Sequence, residues 1–79
     1  MKKTITMPKL SSEMKEGVLV AWNVAPGEAV SKGDILFEVE ADKVVSEVEA
    51  AEAGVMGRQF AEEGDRVSAG EAIGEIEIQ

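Results

Sequence analysis

The chain alternates apolar and polar residues most cleanly over Glu38-Val-Glu-Ala-Asp-Lys-Val-Val-Ser-Glu-Val-Glu49. This stretch reads as two short strands joined by a tight turn on Asp42-Lys43. With two central residues in the turn, Ala41 faces Val44, Val39 faces Ser46 and Phe37 faces Val48. Period-two alternation puts Ile35, Phe37, Val39, Val44, Ser46 and Val48 on a core-facing side. Glu38, Glu40, Glu47 and Glu49 fall on the other, where the like-charged pair Glu38/Glu47 must face water. Lys43 stands at the tip, the only basic residue between Lys32 and Arg58. Taken alone, a lysine at a hairpin tip is a solvated turn residue.

The remaining strands are short. Lys3–Met7 is β-branched and alternating, with Ile5 and Met7 inward, and Pro8 ends it. Lys9–Glu16 is a polar loop around Leu10 and Met14. Val18–Asn23 follows, with Trp22 supplying one large apolar side chain for packing. Pro26-Gly27 fits a type II turn. Ala29–Ser31, Ile35–Glu40, Val44–Glu49, Val55–Phe60, Arg66–Ser68 and Ala72–Ile78 complete the set, with turns at Lys32–Asp34, Glu62–Asp65 and Ala69–Glu71. Ala50–Gly54 is a loop too short for a persistent helix. Met7, Met14 and Met56 are expected to pack in the core or under loops. Nothing keeps a 3.6-residue period for long, so the chain predicts an all-β sandwich or barrel.

The sequence also repeats. Displaced by 37 positions, Gly17–Ala41 falls on Gly54–Ile78 without a gap, and eight of 25 pairs are identical. Three of these are glycines: Gly17/Gly54, Gly27/Gly64 and Gly33/Gly70. Glu28/Asp65 and Asp34/Glu71 keep an acid. Turn glycines at one offset predict the same backbone irregularity twice, hence two four-strand units related by a pseudo-twofold axis. The mate of Lys43 is then position 80 in one direction and Thr6 in the other. Lys43 is thereby expected at the pole opposite the chain termini, as in a carrier swung on a tether.

Composition narrows the chemistry. Seventy-nine residues make one domain, 1–79 with a core of about 4–78. A chain this short buries roughly 60–65% of its unfolded surface. It has no cysteine and no histidine, which excludes disulfides, nucleophilic triads and thiolate or imidazole zinc sites. Acids are spread over outward positions and assemble no catalytic pair, so a non-catalytic protein with no metal is expected. A net charge of −8 opposes nucleic acid and anionic membrane and favours partners with basic surface. No apolar run follows Met1-Lys-Lys, so neither a signal peptide nor a membrane span is read, and the cytoplasm is the expected location.

The hairpin Ile35–Glu49 around Asp42-Lys43 resembles the lipoyl domains of 2-oxo acid dehydrogenase complexes. So do Met7-Pro-Lys-Leu10, Met14-Lys-Glu-Gly17, Trp22, Gly27, Gly33, Gly54 and Glu63-Gly64-Asp65. The likeness runs from about Thr4 to Ile78. The opening motifs are most similar to acyltransferase (E2) components of pyruvate or acetoin dehydrogenase systems. The resemblance implies a monomeric, flattened β-barrel of two four-stranded antiparallel sheets. It implies lipoic acid in amide linkage on Lys43, attached by a lipoate-protein ligase or lipoyl transferase, with Ala41, Asp42 and Val44 as the recognised flank. It implies a swinging arm serving a thiamin diphosphate-dependent E1, the E2 catalytic domain and the flavoprotein E3, with Ser11, Ser12, Glu13, Met14, Lys15 and Glu16 contributing to E1 recognition. Ala41 replaces a common threonine and Ser11 a common glycine. No linker or catalytic domain follows Gln79, so an excised domain or a free-standing carrier is expected. The alternatives are a biotinyl carrier, whose lysine resembles this one but has methionine on both sides, and an unmodified lipoyl-like structural or adaptor barrel. The glycine-cleavage carrier is longer, with flanking helices. Lys32, also in a turn, lacks the paired strands that flank Lys43.

Overall fold

The strand borders follow from which residues find backbone partners. In the computed structural model, which describes residues 1–78, eight strands form: β1 (Lys2–Thr6), β2 (Glu16–Trp22), β3 (Ala29–Val30), β4 (Ile35–Ala41), β5 (Val44–Glu49), β6 (Gly54–Gln59), β7 (Arg66–Ser68) and β8 (Ala72–Ile78). Gln79, the last residue of the expected domain, lies outside the described residues. The strands make two antiparallel four-stranded sheets, ordered β1-β8-β6-β3 and β5-β4-β2-β7. The sheets stack as a flattened sandwich and do not close into a true barrel. β2 begins two residues before the expected Val18 because Glu16 pairs with Ser68 and Gly17 with Val67.

The pseudo-twofold appears bond for bond. The amide of Gly27 donates to the Met56 carbonyl and that of Met56 to Glu28; Gly64 donates to Leu19 and Leu19 to Asp65 in the same way. Trp22 Nε1 donates to the Ala61 carbonyl at 2.9 Å, and its mate Gln59 Nε2 donates to Val24 at 2.6 Å. The repeated acids have a role in four turns with glycine at φ of 90–96°. In each, the acid closing the turn accepts from the amide three residues back: Glu28 from Ala25, Asp34 from Ser31, Asp65 from Glu62 and Glu71 from Ser68.

One expectation about the repeat is corrected. Val45↔Glu40 and Glu49↔Ile35 in the hairpin correspond to Lys2↔Glu77 and Thr6↔Ala72, so β1 answers to β5 at an offset of 43 (45 to 2, 49 to 6), not 37. The connection after Met7 is longer than that after Ala50 by six residues, which absorbs the difference. The mate of Lys43 is therefore the junction of the two chain ends, not Thr6. Those ends meet there: Ile78 N donates to the Met1 carbonyl at 2.7 Å and the terminal amine reaches Ile78 O at 3.2 Å.

Phe37, Met7, Leu19, Met56, Ile73 and Val39 fill the fully buried core, and Met14 is buried beside them. Trp22 is half-buried, its ring 5.4 Å from that of Phe37 and tilted by 56°, a geometry worth about 1 kcal/mol beyond its area. It fills the space that Gly74, the mate of Phe37, leaves open. A bulge between Ile35 and Phe37 corrects the expected face of β4: Leu36 and Phe37 are both buried, and Ile35 is half-exposed. Val44, expected on the core-facing side, is 61% exposed, because the last pair of the hairpin runs past the end of the core.

Two equivalent glycines test the packing. A β-carbon at Gly54 would collide with the Glu77 carbonyl oxygen of the adjacent strand, which cannot retreat without breaking the sheet. One at Gly17 would stand 2.9 Å from Met14 Cε and Val39 Cγ1, of which the methionine end is free to swing. Gly54→Ala is expected to destabilise the fold by about 3 kcal/mol and Gly17→Ala by about 1 kcal/mol, measured by urea unfolding.

Candidate functional site

The hairpin register is the expected one: Ala41↔Val44, Glu40↔Val45, Val39↔Ser46, Glu38↔Glu47 and Phe37↔Val48. A two-residue loop in this register needs a turn whose twist matches the strands, with both central residues at positive φ. Asp42 has φ 51° and Lys43 φ 66°, the only described non-glycine residues in that region. Aspartate tolerates it; lysine does so at a cost of about 1 kcal/mol. The two-residue spacing was the sequence signal for this strain, since neither central residue is glycine.

Lys43 is exposed at the tip, and among the described residues its ammonium makes no ion pair. The base of the same hairpin lies by the chain ends, since Lys3 Nζ pairs with Glu52 Oε2 at 2.8 Å just beyond β5. The seven residues of β4 then carry the tip roughly 20 Å away, along a molecule 34 Å long. Lysine and termini occupy opposite poles.

Two grooves flank the tip. One, of about 220 Å³, is lined by Leu10, Ser11, Ala41, Asp42, Val44 and Ser46, so the longer loop after β1 comes to lie beside the hairpin. The other, of about 290 Å³, is more polar and holds Glu16, Glu40, Asp42, Lys43 and Arg66, with Arg66 Nη1 3.3 Å from Glu16 Oε1. Of the expected recognition loop, Ser11, Ser12, Glu13 and Lys15 are exposed. Glu16 is the first residue of β2 and is paired with Arg66. Met14 is buried: its sulfur accepts from the Leu10 amide at 3.2 Å, so its side chain shapes the loop from beneath and is not presented to a partner. The exposed Val45 (51%), beside Glu47 and Glu49 on the outward side, was not singled out from sequence. No group of three or more acidic, histidine or cysteine side chains among the described residues is arranged to hold a metal. No described helix is long and apolar enough to cross a membrane.

A β-sandwich of duplicated units with a lysine on a strained turn at one pole and the termini at the other defines a carrier-domain architecture. Residues 3–76 match the family model described as biotin-requiring enzyme, which covers biotin and lipoyl attachment domains. The solved lipoyl domain of the 2-oxoglutarate dehydrogenase complex from Azotobacter vinelandii is 36% identical, with a TM-score of 0.79 and 92% of each chain covered. The chain therefore belongs to the biotin/lipoyl attachment family, and within it to the lipoyl domains, which are non-catalytic carriers. A single-chain long-chain acyl-CoA carboxylase shares the fold (TM-score 0.82, 18% identity, 99% of this chain and 7% of that one). Among curated proteins, the succinyltransferase component of the 2-oxoglutarate dehydrogenase complex of Cupriavidus necator is 41% identical over 95% of this chain and 18% of its own length. The acetyltransferase component of the pyruvate dehydrogenase complex of Zymomonas mobilis is 41% identical over 87% and 16%. That of the acetoin cleaving system of Pseudomonas putida is 42% identical over 85% and 18%. The chain thus spans less than a fifth of the length of these relatives.

The strain at the tip is measurable. Lys43→Gly is expected to raise the unfolding free energy by about 0.5–1 kcal/mol, as relief of the left-handed lysine outweighs the added chain entropy of glycine. Lys43→Ala keeps the strain and is expected to leave it within about 0.3 kcal/mol of the parent. Urea titrations of the three proteins decide it.

Proposed function

We propose that Lys43 carries lipoic acid and that the domain is the swinging-arm carrier of an acyltransferase (E2) in a 2-oxo acid or acetoin dehydrogenase complex. The observation that carries the reading is the placement of Lys43: exposed, without an ion pair among the described residues, and held on a two-residue turn far from the chain ends. The site fits the group, since Lys43 is exposed without an ion pair among the described residues and the groove lined by its neighbours Asp42 and Val44 holds one ionisable side chain. Attachment requires the amine, free of its proton, to attack the activated carboxyl of lipoic acid, forming the amide and expelling the activating group. The lysine's charge is lost in that step. When bound, the lipoyl group supplies a dithiolane that takes up two electrons and an acyl group and gives both up again.

The chain's own part is presentation. The turn fixes where the arm starts, so a lipoate-protein ligase or lipoyl transferase finds one lysine in one pose, with Ala41, Asp42 and Val44 as the flank it reads. A tether at the far pole lets the arm visit a thiamin diphosphate-dependent E1, the E2 catalytic domain and the flavoprotein E3 at high effective concentration. Ser11 lines the groove beside the tip and Ser12, Glu13 and Lys15 are exposed on the same loop, which supports their contacting an E1 bound at the tip. The outward acids Glu38, Glu40, Glu47 and Glu49 favour basic partner surfaces and raise encounter rates more than affinity. The domain works in the cytoplasm as a monomer. Relatives of 41–42% identity serve 2-oxoglutarate, pyruvate and acetoin systems, so identity ranks none of these substrates first. Asp42 and Val44, where a biotinyl carrier has methionines, favour lipoate over biotin.

Incubation with a lipoate-protein ligase, lipoate and ATP is expected to add one lipoyl group, mapped to Lys43 by peptide mass analysis and absent from Lys43→Gln. A folded protein that stays unmodified, or that takes biotin from a biotin ligase instead, overturns the reading.

A further inference from the structure

The groove of about 220 Å³ beside the tip has a pseudo-twofold counterpart at the chain ends. By the offsets that relate the strands, Ala41 answers to Ile78 and Ser46 to Lys3. The connection bearing Leu10 and Ser11 answers to the shorter one bearing Ala51 and Glu52. At the terminal pole the counterpart is flanked by the Lys3–Glu52 ion pair, at 2.8 Å. At the lysine pole that pair is absent: the small, uncharged Ala41 and Ser46 stand in the strand positions, and the six-residue extension brings Leu10, 44% exposed, into the groove that Val44, 61% exposed, also lines. The halves depart from each other where the chain approaches Lys43, and the departure leaves two apolar side chains facing a partly open groove.

Resting on the proposed lipoylation of Lys43, we infer that this groove is a resting seat for the apolar end of the carrier's own arm. The occupant is the group tethered to Lys43, between two residues, Asp42 and Val44, that themselves line the groove. Tethering gives it an effective concentration that no free ligand reaches. The volume is that of roughly seven waters, enough for a five-membered dithiolane ring and part of its aliphatic chain. Leu10 and Val44 supply the apolar contact; Asp42 is the one ionisable side chain in the lining and stands at the tip. The seat is shallow, so the arm leaves it readily for a partner's active site.

The test starts from protein shown by mass to be lipoylated on Lys43, compared with unmodified protein by amide ¹H–¹⁵N shifts. Expected are shift changes at Leu10, Ser11 and Ser46, remote in sequence from the modified residue. Reduction of the lipoyl disulfide by a water-soluble phosphine is expected to be about threefold slower in the parent than in lipoylated Leu10→Gln or lipoylated Ser46→Leu, which strip or fill the groove. Either variant suffices if the other fails to fold. Shift changes confined to Asp42–Val44, with equal reduction rates in parent and variant, overturn the seat while leaving lipoylation standing. Failure to lipoylate the folded parent overturns the function proposed above and this inference with it.

Discussion

Each half of this molecule completes its hydrogen bonding only on the other. The amides and carbonyls of Leu19 and Met56, in the middle of β2 and β6, bond to the turns at Gly64–Asp65 and Gly27–Glu28 respectively, each from the opposite repeat. β7 lies in the sheet with β2, β4 and β5, and β3 in the sheet with β1, β6 and β8. A buried backbone group without a partner costs on the order of 1–3 kcal/mol, so neither half is expected to close alone. The glycines follow from this exchange. Gly27 and Gly64 take the positive φ that lets the turn backbone reach across, and Gly54 has no side chain because the Glu77 carbonyl occupies its place.

This interlock also sets the geometry of the site. Two interlaced halves with the termini at one end must present at the other the turn that answers to the chain break. That turn is Asp42-Lys43. It is a covalent connection where its mate is a gap, so it is the one position around the axis where the backbone is forced into a two-residue loop without a symmetric constraint on side-chain type. Glycine would relieve the strain there. A lysine in left-handed backbone there runs against local stability, a conflict between side chain and backbone that exposure alone does not reveal.

Much of this was legible in the sequence. Alternation gave the hairpin register to the residue, and the 37-residue repeat gave the strand count and the pseudo-twofold. What escaped has physical causes. The bulge that turns Leu36 inward is invisible to a period-two reading, because inserting one residue reverses the faces without changing composition. β1 and β5 share no identical residue at their true offset, so their equivalence rests on register alone. Acids at the turn ends repeat in the sequence, but that they accept the amide three residues back needs the backbone path. The exposure of Val44 depends on where the core stops, which no local pattern contains.

The asymmetry between the two poles is the part of the structure least explained by folding. Pseudo-symmetric packing is satisfied equally well by a short connection, as Ala51–Ala53 shows, so the longer loop through Leu10 and Met14 adds ordering entropy that the second half avoids. Met14 anchors that loop in the core, and the Leu10 amide donates to its sulfur at 3.2 Å. The loop is thus held from inside while its outer residues, Ser11 to Glu13, stay exposed, with Ser11 lining the groove beside the tip. A buried anchor under an exposed edge is the arrangement expected of a surface that is read by something else, because the anchor fixes the shape and the edge carries the identity. Here that surface adjoins the strained lysine, so loop and turn form one continuous surface although Glu13 and Lys43 are 30 positions apart in the sequence.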